Sequence, residues 1–299
     1  MRLGVAVLLT TIAASAGPGS TPAAQERPDQ PVFRASVEMV SMAAVVRDGR
    51  GRVVPSLSRE DFVVLDAGSR RIIVDLRADM SAPLSVALLV DSSGSMRVGY
   101  TLDAARSVAR DFLNVLDPRR DEAALFTFDR RLLELVDFTK DFDPIRMRLE
   151  DLDAYGTTSL YDAIADTSKR VSRFAARRRA IVVLTDGTDT SSRFAPSDVS
   201  AMASAADVPI YVLALNEAGA HGQGPLADLA RWSGGAYLAA GHRQLALSAV
   251  RQITEELRHQ YVLAFEPASS DGWHRVEIRM RKPGLTVRSR SWYLAGPGE

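Results

Sequence analysis

The stretch that decides the fold reads Ser85-Val-Ala-Leu-Leu-Val90 and continues directly into Asp91-Ser92-Ser93-Gly94-Ser95-Met96. An almost continuous apolar run of this length is typical of a strand that is buried on both faces of a parallel sheet. The polar residues begin where this strand should end. Ligands of open α/β sheets bind outside the carboxyl ends of the strands, so the loop that follows is a candidate binding site.

Apolar runs alternate with helical patterns from this stretch onward. The apolar residues between Leu102 and Leu116 keep helical spacing, and Ala180–Thr185 repeats the pattern of a fully buried strand. Further strands are predicted at 123–128, 132–138, 209–215 and 236–238, and further helices at 145–152, 160–174, 196–206, 225–232 and 243–259. This alternation predicts an open, doubly wound, mostly parallel sheet with a Rossmann-like arrangement of helices.

Both ends of this α/β region are flanked by β patterns. Residues 33–77 contain short alternating stretches separated by turn residues, and the alternation returns in 261–265, 273–280 and 285–293. Either set alone is small for an independent β fold, so we expect the two sets to pair. The prediction is a small β-sandwich-like domain built from both ends of the chain.

The first residues carry the features of an export signal. Arg2 precedes an apolar run that ends in Ala14-Ser15-Ala16, and this run is too short for a permanent membrane span. Cleavage after Ala16 and after Ala24 both fit the pattern. We therefore expect a periplasmic or secreted protein, with no integral membrane span in the mature chain.

These patterns together predict the organisation of the chain. The expected segments are a signal peptide at 1–24, a linker at 25–32, a first β segment at 33–80, an α/β domain at 82–259 and a second β segment at 260–299.

Composition narrows the chemistry that the 299 residues can perform. Lys and Arg number 37 and so do Asp and Glu, so the net charge of zero argues against nucleic acid as a partner. The absence of cysteine excludes disulfides, thiolate metal sites and cysteine nucleophiles. The four histidines have no two members at helical ligand spacing; they are His221, His242, His259 and His274. Hydroxyls and carboxylates are the groups left for a site.

Three polar segments provide such groups. Asp91, Ser93 and Ser95 alternate in the loop after the first strand, and Asp186 directly follows the second strand. The segment Gly156-Thr157-Thr158-Ser159 lies just before a predicted helix. If the two strands are neighbours, their carboxylates emerge side by side at one edge of the sheet. Oxygen ligands of this kind suit magnesium, calcium or manganese.

These motifs, in this order, resemble a von Willebrand factor type A (VWA) domain with a metal-ion-dependent adhesion site, over about residues 82–260, as in exported bacterial proteins with flanking β segments. The resemblance implies a metal set of Asp91, Ser93, Ser95, Thr158 and Asp186, with the two serines ligating directly and the carboxylates partly through water. The family often has a second glycine where Thr157 stands, so Thr157 is the alternative ligand, although the spacing to Leu160-Tyr161 favours Thr158.

Such a site would leave part of the shell of a dication to water or to an outside oxygen. The expected ion is Mg²⁺, with Mn²⁺ or Ca²⁺ as alternatives. The expected partner is a protein that presents an Asp or Glu side chain, and the expected function is non-enzymatic adhesion or scaffolding.

Another cation-binding motif and two classes of enzyme match the motifs less well. The positions of an EF-hand that require Gly and Glu hold Met96 and Leu102. A phosphatase with an aspartate nucleophile usually has a second Asp two residues later, where Ser93 stands. No G-x-S-x-G elbow is present at 91–96. The enzymatic alternative is a metal-dependent hydrolase or phosphatase that uses Asp91.

Overall fold

The computed structural model describes residues 39–173, 178–216, 224–268 and 271–296. The predicted signal peptide and linker lie outside these ranges. In chain order, the strands are β1 (Val40–Asp48), β2 (Phe62–Asp66), β3 (Ser69–Arg71), β4 (Ile73–Arg77), β5 (Leu84–Asp91), β6 (Glu122–Phe128), β7 (Leu132–Thr139), β8 (Arg178–Thr185), β9 (Ile210–Ala214), β10 (Tyr237–Ala239), β11 (Tyr261–Phe265), β12 (Gly272–Met280), β13 (Leu285–Ser289) and β14 (Trp292–Ala295). The helices are α1 (Thr101–Val115), α2 (Asp143–Glu150), α3 (Leu160–Val171), α4 (Pro196–Ala206), α5 (Pro225–Trp232) and α6 (Arg243–Arg258).

A six-stranded sheet forms the centre of the α/β part, in the order β10-β9-β8-β5-β6-β7. All pairings are parallel except that of β7, which turns back antiparallel along β6. Strand β5 lies in the interior between β6 and β8, and all eight of its residues are buried. The prediction of a mostly parallel, doubly wound sheet is confirmed.

Helices cover both faces of this sheet, which explains why β5 is apolar on both sides. Leu84, Val86, Leu88 and Val90 face a core shared with α1, α2 and α6. The alternate residues Ala87 and Leu89 face a second core shared with α3, α4 and α5. Among the helices of the described residues, none is both long and apolar enough to cross a membrane.

Two antiparallel sheets of four strands form a β-sandwich beside the α/β part. Their orders are β13-β1-β11-β4 and β14-β12-β2-β3, so each sheet combines strands from both ends of the chain. One apolar core joins the two sheets and includes Met42 and Leu263 from the first and Val64 and Ile278 from the second. The predicted pairing of the two β segments is what the strand registers show.

The prediction of one strand over 285–293 is wrong, because the chain breaks at Arg290 and changes sheet. Strand β13 pairs with β1, whereas β14 pairs with β12 in the opposite sheet. The Arg290 side chain is 9% exposed and donates to the carbonyls of Ser204, at 2.5 Å, and Ser41, at 2.9 Å. These bonds hold the crossing residue between α4 and β1, so its guanidinium is buried with partners.

A buried carboxylate on α6 connects the sandwich to the α/β part. Glu256 has a fully buried side chain and pairs with Arg47 of β1, at 2.7 Å, and with Arg288 of β13. The Arg288 guanidinium also lies over the ring of Tyr211 on β9, 5.8 Å from its centroid. The two parts therefore share charged contacts in which the carboxylate is fully buried and both arginines are partly buried.

Candidate functional site

Backbone hydrogen bonds bring three loops together at the carboxyl edge of the central sheet. The N–H of Gly94 donates to the carbonyl of Gly156, at 3.1 Å, and the N–H of Tyr155 donates to that of Ser92, at 2.9 Å. The Thr185 hydroxyl donates to Oδ2 of Asp91, at 2.6 Å, and so connects the ends of β8 and β5. The loop before α3 and the ends of both strands thus form one continuous polar surface.

Asp91 is a buried carboxylate at this edge, with no exposed surface. Its oxygens accept from the Thr185 hydroxyl and from the N–H of Ser93, at 2.9 Å. Burial raises the pKa of Asp91 to about 6, and the negative charge of nearby Asp186 adds to the rise against these hydrogen bonds. In the described part of the chain, no Lys or Arg pairs with this carboxylate.

Ser93 and Ser95 present neighbouring hydroxyls in the same loop. Their Oγ atoms lie 3.0 Å apart, and Ser93 is fully buried. Ser93 precedes the 3-10 segment Gly94–Tyr100 in an extended conformation, while its N–H is held by Asp91. The alternation expected from the sequence therefore places both hydroxyls side by side, close to the Asp91 carboxylate.

The structure distinguishes the two adjacent threonines of the second loop. Thr158 is 3% exposed, whereas Thr157 is exposed. The backbone of Thr158 is fixed on both sides: its N–H donates to the Thr190 hydroxyl, and its carbonyl accepts from the N–H groups of Thr190 and Ser191, each at 3.0 Å. Thr158 thus belongs to the inner surface of the loop cluster.

Asp186 continues β8 into the third loop and is partly buried. Its Oδ1 accepts from the N–H of Thr188, at 3.0 Å, while its own carbonyl accepts from the Asn216 amide, at 2.7 Å. Because β5 and β8 pair Val90 with Leu184, Asp91 and Asp186 lie at the ends of adjacent strands, and the charge of Asp186 contributes to the raised pKa of Asp91. The sequence predicts that Asp91 and Asp186 emerge side by side, and the adjacent strands β5 and β8 bring them to the same edge of the sheet.

Two acidic residues that the sequence leaves outside the metal set have structural partners. Oδ1 of Asp189 accepts from the N–H of Leu160, at 2.9 Å, and from the Ser192 hydroxyl, at 2.6 Å. Asp162 accepts from the N–H and Nε of Arg193. Both carboxylates therefore fasten the third loop to the start of α3.

Sequence reasoning did not single out Thr185, Thr190 or Ser191, although these residues hold the site in place. Thr185 could have been noticed, because it directly precedes Asp186 at the end of a buried strand. Thr190 and Ser191 carry no such signal, since their partner Thr158 lies more than thirty positions earlier.

The donor set fits a hard divalent cation. All five side chains offer oxygen, and a cation would balance the buried Asp91 charge beside Asp186. Two carboxylates are few for a protein cation site, and within the described residues no three His, Cys, Asp or Glu side chains gather as a metal cluster. Three of the five oxygen donors in the set are therefore neutral hydroxyls.

The family model of the von Willebrand factor type A domain matches residues 86–188. This part of the chain is a VWA domain. The match runs from β5 to just beyond Asp186, so it includes all three loops of the candidate site. The family resemblance stated from the motifs is confirmed, while the metal set stays a prediction.

Solved structures with related folds come from several bacteria. An aerotolerance-related membrane protein of Bacteroides fragilis is 19% identical over 58% of this chain and 98% of its own, with a TM-score of 0.47. BatB of Bacteroides thetaiotaomicron is 17% identical over the same shares, also at 0.47. The von Willebrand factor domain of the type V pili tip protein Mfa5 of Porphyromonas gingivalis is 20% identical over 36% of this chain and 39% of its own, at 0.32.

At identities this low, the likeness says nothing about the ligands or partners of the VWA domain described here. No curated protein has a sequence that matches the chain significantly.

Proposed function

We propose that this chain is a non-enzymatic module that captures a protein partner through a divalent cation at the carboxyl edge of its VWA domain. The proposed ligands are Asp91, Ser93, Ser95, Thr158 and Asp186, with Mg²⁺ as the ion and Mn²⁺ or Ca²⁺ as alternatives. A bound dication would supply a Lewis-acidic position for one Asp or Glu side chain of the partner.

The observation that carries the proposal is the Asp91 carboxylate. It is fully buried, lies near a second carboxylate and is surrounded by hydroxyls instead of cationic side chains. A buried charge without an opposite charge is costly, and a dication held beside it would compensate that cost. The VWA assignment supports an interaction module in general terms.

Binding by a carboxylate explains why the set contains so many neutral ligands. In the proposed arrangement, neutral hydroxyls contact the dication directly and the carboxylates act partly through water, so the positive charge is only partly compensated at short range. An anionic ligand from a partner is then attracted more strongly than a neutral one. The proposal therefore favours acidic anchors over amides.

One feature of the site favours binding over hydrolysis by a histidine base. Hydrolysis needs a group near the nucleophile that accepts and returns a proton, most often a histidine, although a carboxylate such as Asp186 can also serve. The described histidines that form hydrogen bonds have them elsewhere: His259 with the carbonyl of Glu255 and His274 with Asp66. A metal-dependent hydrolase that uses Asp91 is the alternative, and turnover of phosphate esters that disappears in D91A would favour it.

An export signal is predicted at 1–24, which supports a function outside the cytoplasm. We propose that the module works in the periplasm or as a secreted protein, with its β-sandwich holding the VWA domain toward the partner. The buried pairs of Glu256 with Arg47 and Arg288 support a fixed arrangement of the two parts.

Capture of partners from an envelope extract tests the proposal. Immobilised chain is incubated with extract in Mg²⁺, washed and then eluted with EDTA. We expect EDTA to release a partner from the wild type, whereas D91A retains none. D153A is the matched control, because Asp153 is an exposed aspartate in a nearby loop, outside the proposed ligand set.

Two results would contradict the proposal. One is a partner that stays bound in EDTA, and the other is a partner that D91A captures as well as the wild type does.

A further inference from the structure

A groove with many cationic side chains begins beside the candidate site and runs along α3. It has a volume of about 510 Å³. Six cationic residues line it, all of them exposed; they are Arg130, Arg131, Lys169, Arg170, Arg173 and Arg193. Asp162 and Asp166 are its two acidic residues. We call this surface the cationic groove. Its local positive charge contrasts with the zero net charge of the whole chain.

Half of these cations are already paired. Arg170 pairs with Glu134 at 2.5 Å, Lys169 with Asp166 at 3.3 Å and Arg193 with Asp162 at 3.1 Å. Across the described residues, Arg130, Arg131 and Arg173 form no ion pair with a carboxylate. The groove therefore carries three guanidinium groups that can receive outside carboxylates.

The groove is continuous with the candidate metal site. Arg130 and Arg131 stand in the tight turn between β6 and β7, next to Asp129. The carbonyl of Asp129 accepts from the N–H of Ser159, at 2.8 Å, and its side chain lies against Gly156. Ser159 itself lines the groove and directly follows Thr158. One end of the groove is thus the outer wall of the loop proposed to hold the cation.

The length of the groove sets the size of its occupant. From Ser159 to Arg173 the chain is almost entirely helical, so at about 1.5 Å per residue this face extends roughly 20 Å. An extended peptide covers that distance in about six residues, at about 3.3 Å each.

We infer that the cationic groove binds an acidic, extended segment of about six residues in the partner protein. This inference rests on the proposed function: one carboxylate of the segment binds at the metal site, and further Asp or Glu side chains reach the three unpaired arginines. The groove would thereby select partners with several acidic residues over partners with one.

The composition of the groove favours a peptide over a nucleic acid. Its two carboxylates lie between the cations along α3, where an unbroken row of phosphates would meet repulsion. The carboxylates of an acidic peptide stand on flexible side chains, so they can turn away from Asp162 and Asp166 toward the arginines, whereas phosphates are fixed along the backbone of a nucleic acid.

Fluorescence anisotropy with two labelled peptides tests the inference. The probes are hexaglutamate and a peptide of one Glu followed by five Gln, each titrated with the full chain in Mg²⁺ and in EDTA. The charge-removing variant is R130Q/R131Q, in an exposed turn, and R130K/R131K restores the charge. R251Q is the matched control, since Arg251 is exposed on α6, on the other face of the sheet.

We expect hexaglutamate to bind more tightly than the single-Glu peptide, and R130Q/R131Q to weaken hexaglutamate binding about fivefold without changing the single-Glu peptide. R130K/R131K and R251Q should keep the preference. An undiminished preference in R130Q/R131Q overturns the inference.

Two further comparisons test the groove inference independently of the proposed metal site. If EDTA leaves the binding of both peptides unchanged while R130Q/R131Q still removes the preference, the groove is supported and the metal function fails. If a six-nucleotide thymidine oligomer binds more tightly than hexaglutamate with the same arginine dependence, the assignment to an acidic peptide is overturned.

Discussion

Asp91 is the residue on which the function proposed here depends. A carboxylate with no exposed surface loses its hydration, and its hydrogen bonds from Thr185 and Ser93 return only part of that energy, since its pKa is still raised to about 6. For fold stability alone, a neutral side chain at this strand end would carry a smaller desolvation penalty than a carboxylate. A cation bound at this position would compensate the charge of Asp91 and would explain why an aspartate stands there.

Replacing Asp91 by Asn should separate two effects of its charge, the desolvation penalty and the binding of the metal ion. In EDTA at pH 7.5, D91N removes the desolvated charge and should raise the free energy of unfolding by about 1 kcal/mol. In Mg²⁺, the wild type should gain thermal stability, because a ligand of the native state alone stabilises it, and D91N should gain none. Thermal unfolding with and without Mg²⁺ measures both effects.

D153N is the control for this comparison and should respond to Mg²⁺ as the wild type does. A D91N protein that keeps the full stabilisation by Mg²⁺ would remove Asp91 from the site.

The raised pKa of Asp91 also predicts how metal binding depends on pH. The native pKa lies above the ordinary value of 3.8, so without metal the contribution of this carboxyl to stability is complete below about pH 4 and is lost as the pH rises through about 6. Metal binding has the opposite dependence, because the ion requires the carboxylate. The Mg²⁺ concentration for half-maximal stabilisation should therefore increase up to about tenfold per pH unit below pH 6.

Thermal shifts measured across Mg²⁺ titrations between pH 5 and 8 provide this profile. A flat profile would mean that no carboxyl with a pKa near 6 takes part in binding.

At the scale of elements, the site depends on a loop turn that only glycine adopts easily. Gly156 has a φ of +83°, and a Cβ at this position would lie 3.2 Å from Oδ2 of Asp129. Gly68, in the turn between β2 and β3, has the same φ of +83°, but a Cβ there would meet nothing within 4 Å. The two glycines therefore share the same φ and differ in the space around them.

G156A and G68A form a matched pair for this reason. Each should lose about 1 kcal/mol of stability from the positive φ. Only G156A should also weaken the stabilisation by Mg²⁺, because the displaced loop carries Thr158. Urea unfolding, with and without Mg²⁺, measures both quantities, and equal Mg²⁺ responses in the two variants would disprove a role for this turn in binding.

The elements also show which features a sequence can predict. Strand β5 and its terminal Asp91 follow from a local pattern, because burial on both faces requires apolar residues and the strand end must turn polar. The switch of sheet at Arg290 does not follow, since residues 285–295 keep an alternating pattern across the break. The contacts of its side chain with the carbonyls of Ser204 and Ser41 and with the Asp207 carboxylate, all distant along the chain, show why the arginine is buried there.

The same contrast holds within the candidate site. The alternation of Asp91, Ser93 and Ser95 is visible in the sequence, and so is the position of Asp186 after a strand. The contacts that fix Thr158 arise from a loop more than thirty residues later, and their partners are ordinary turn residues. Such bonds depend on how the loops pack, which local patterns do not encode.

At the scale of the whole molecule, Glu256 is a residue that joins the sandwich to the α/β part. Its side chain accepts hydrogen bonds from Arg47, Arg288 and Gln252, and it has no exposed surface. Removing the charge leaves two arginines, each largely withdrawn from water, without their counter-ion. Breaking a buried pair in this way costs far more than breaking a surface pair.

E256Q should therefore lower the free energy of unfolding by about 3 kcal/mol. E277Q, which removes an exposed carboxylate paired with Arg279, should cost less than about 1 kcal/mol. Urea unfolding followed by tryptophan fluorescence reports on the junction, because Trp232 lies at the end of α5 and Trp273 and Trp292 lie in the sandwich. Similar losses in the two variants would show that Glu256 does not join the two parts.

The association of the two chain ends was predictable in outline because neither β segment is large enough to bury its own core. The connection of the sandwich to the α/β part was not predictable, since Arg47, Arg288 and Glu256 look like ordinary surface charges in their local patterns.

The proposed function requires that the chain bind a divalent cation. The most direct measurement is titration of the chain with Mn²⁺, with free ion followed by electron paramagnetic resonance. We expect one bound Mn²⁺ per chain, displaced by Mg²⁺ and absent from D91N, whereas no bound ion in the wild type would contradict the proposed function.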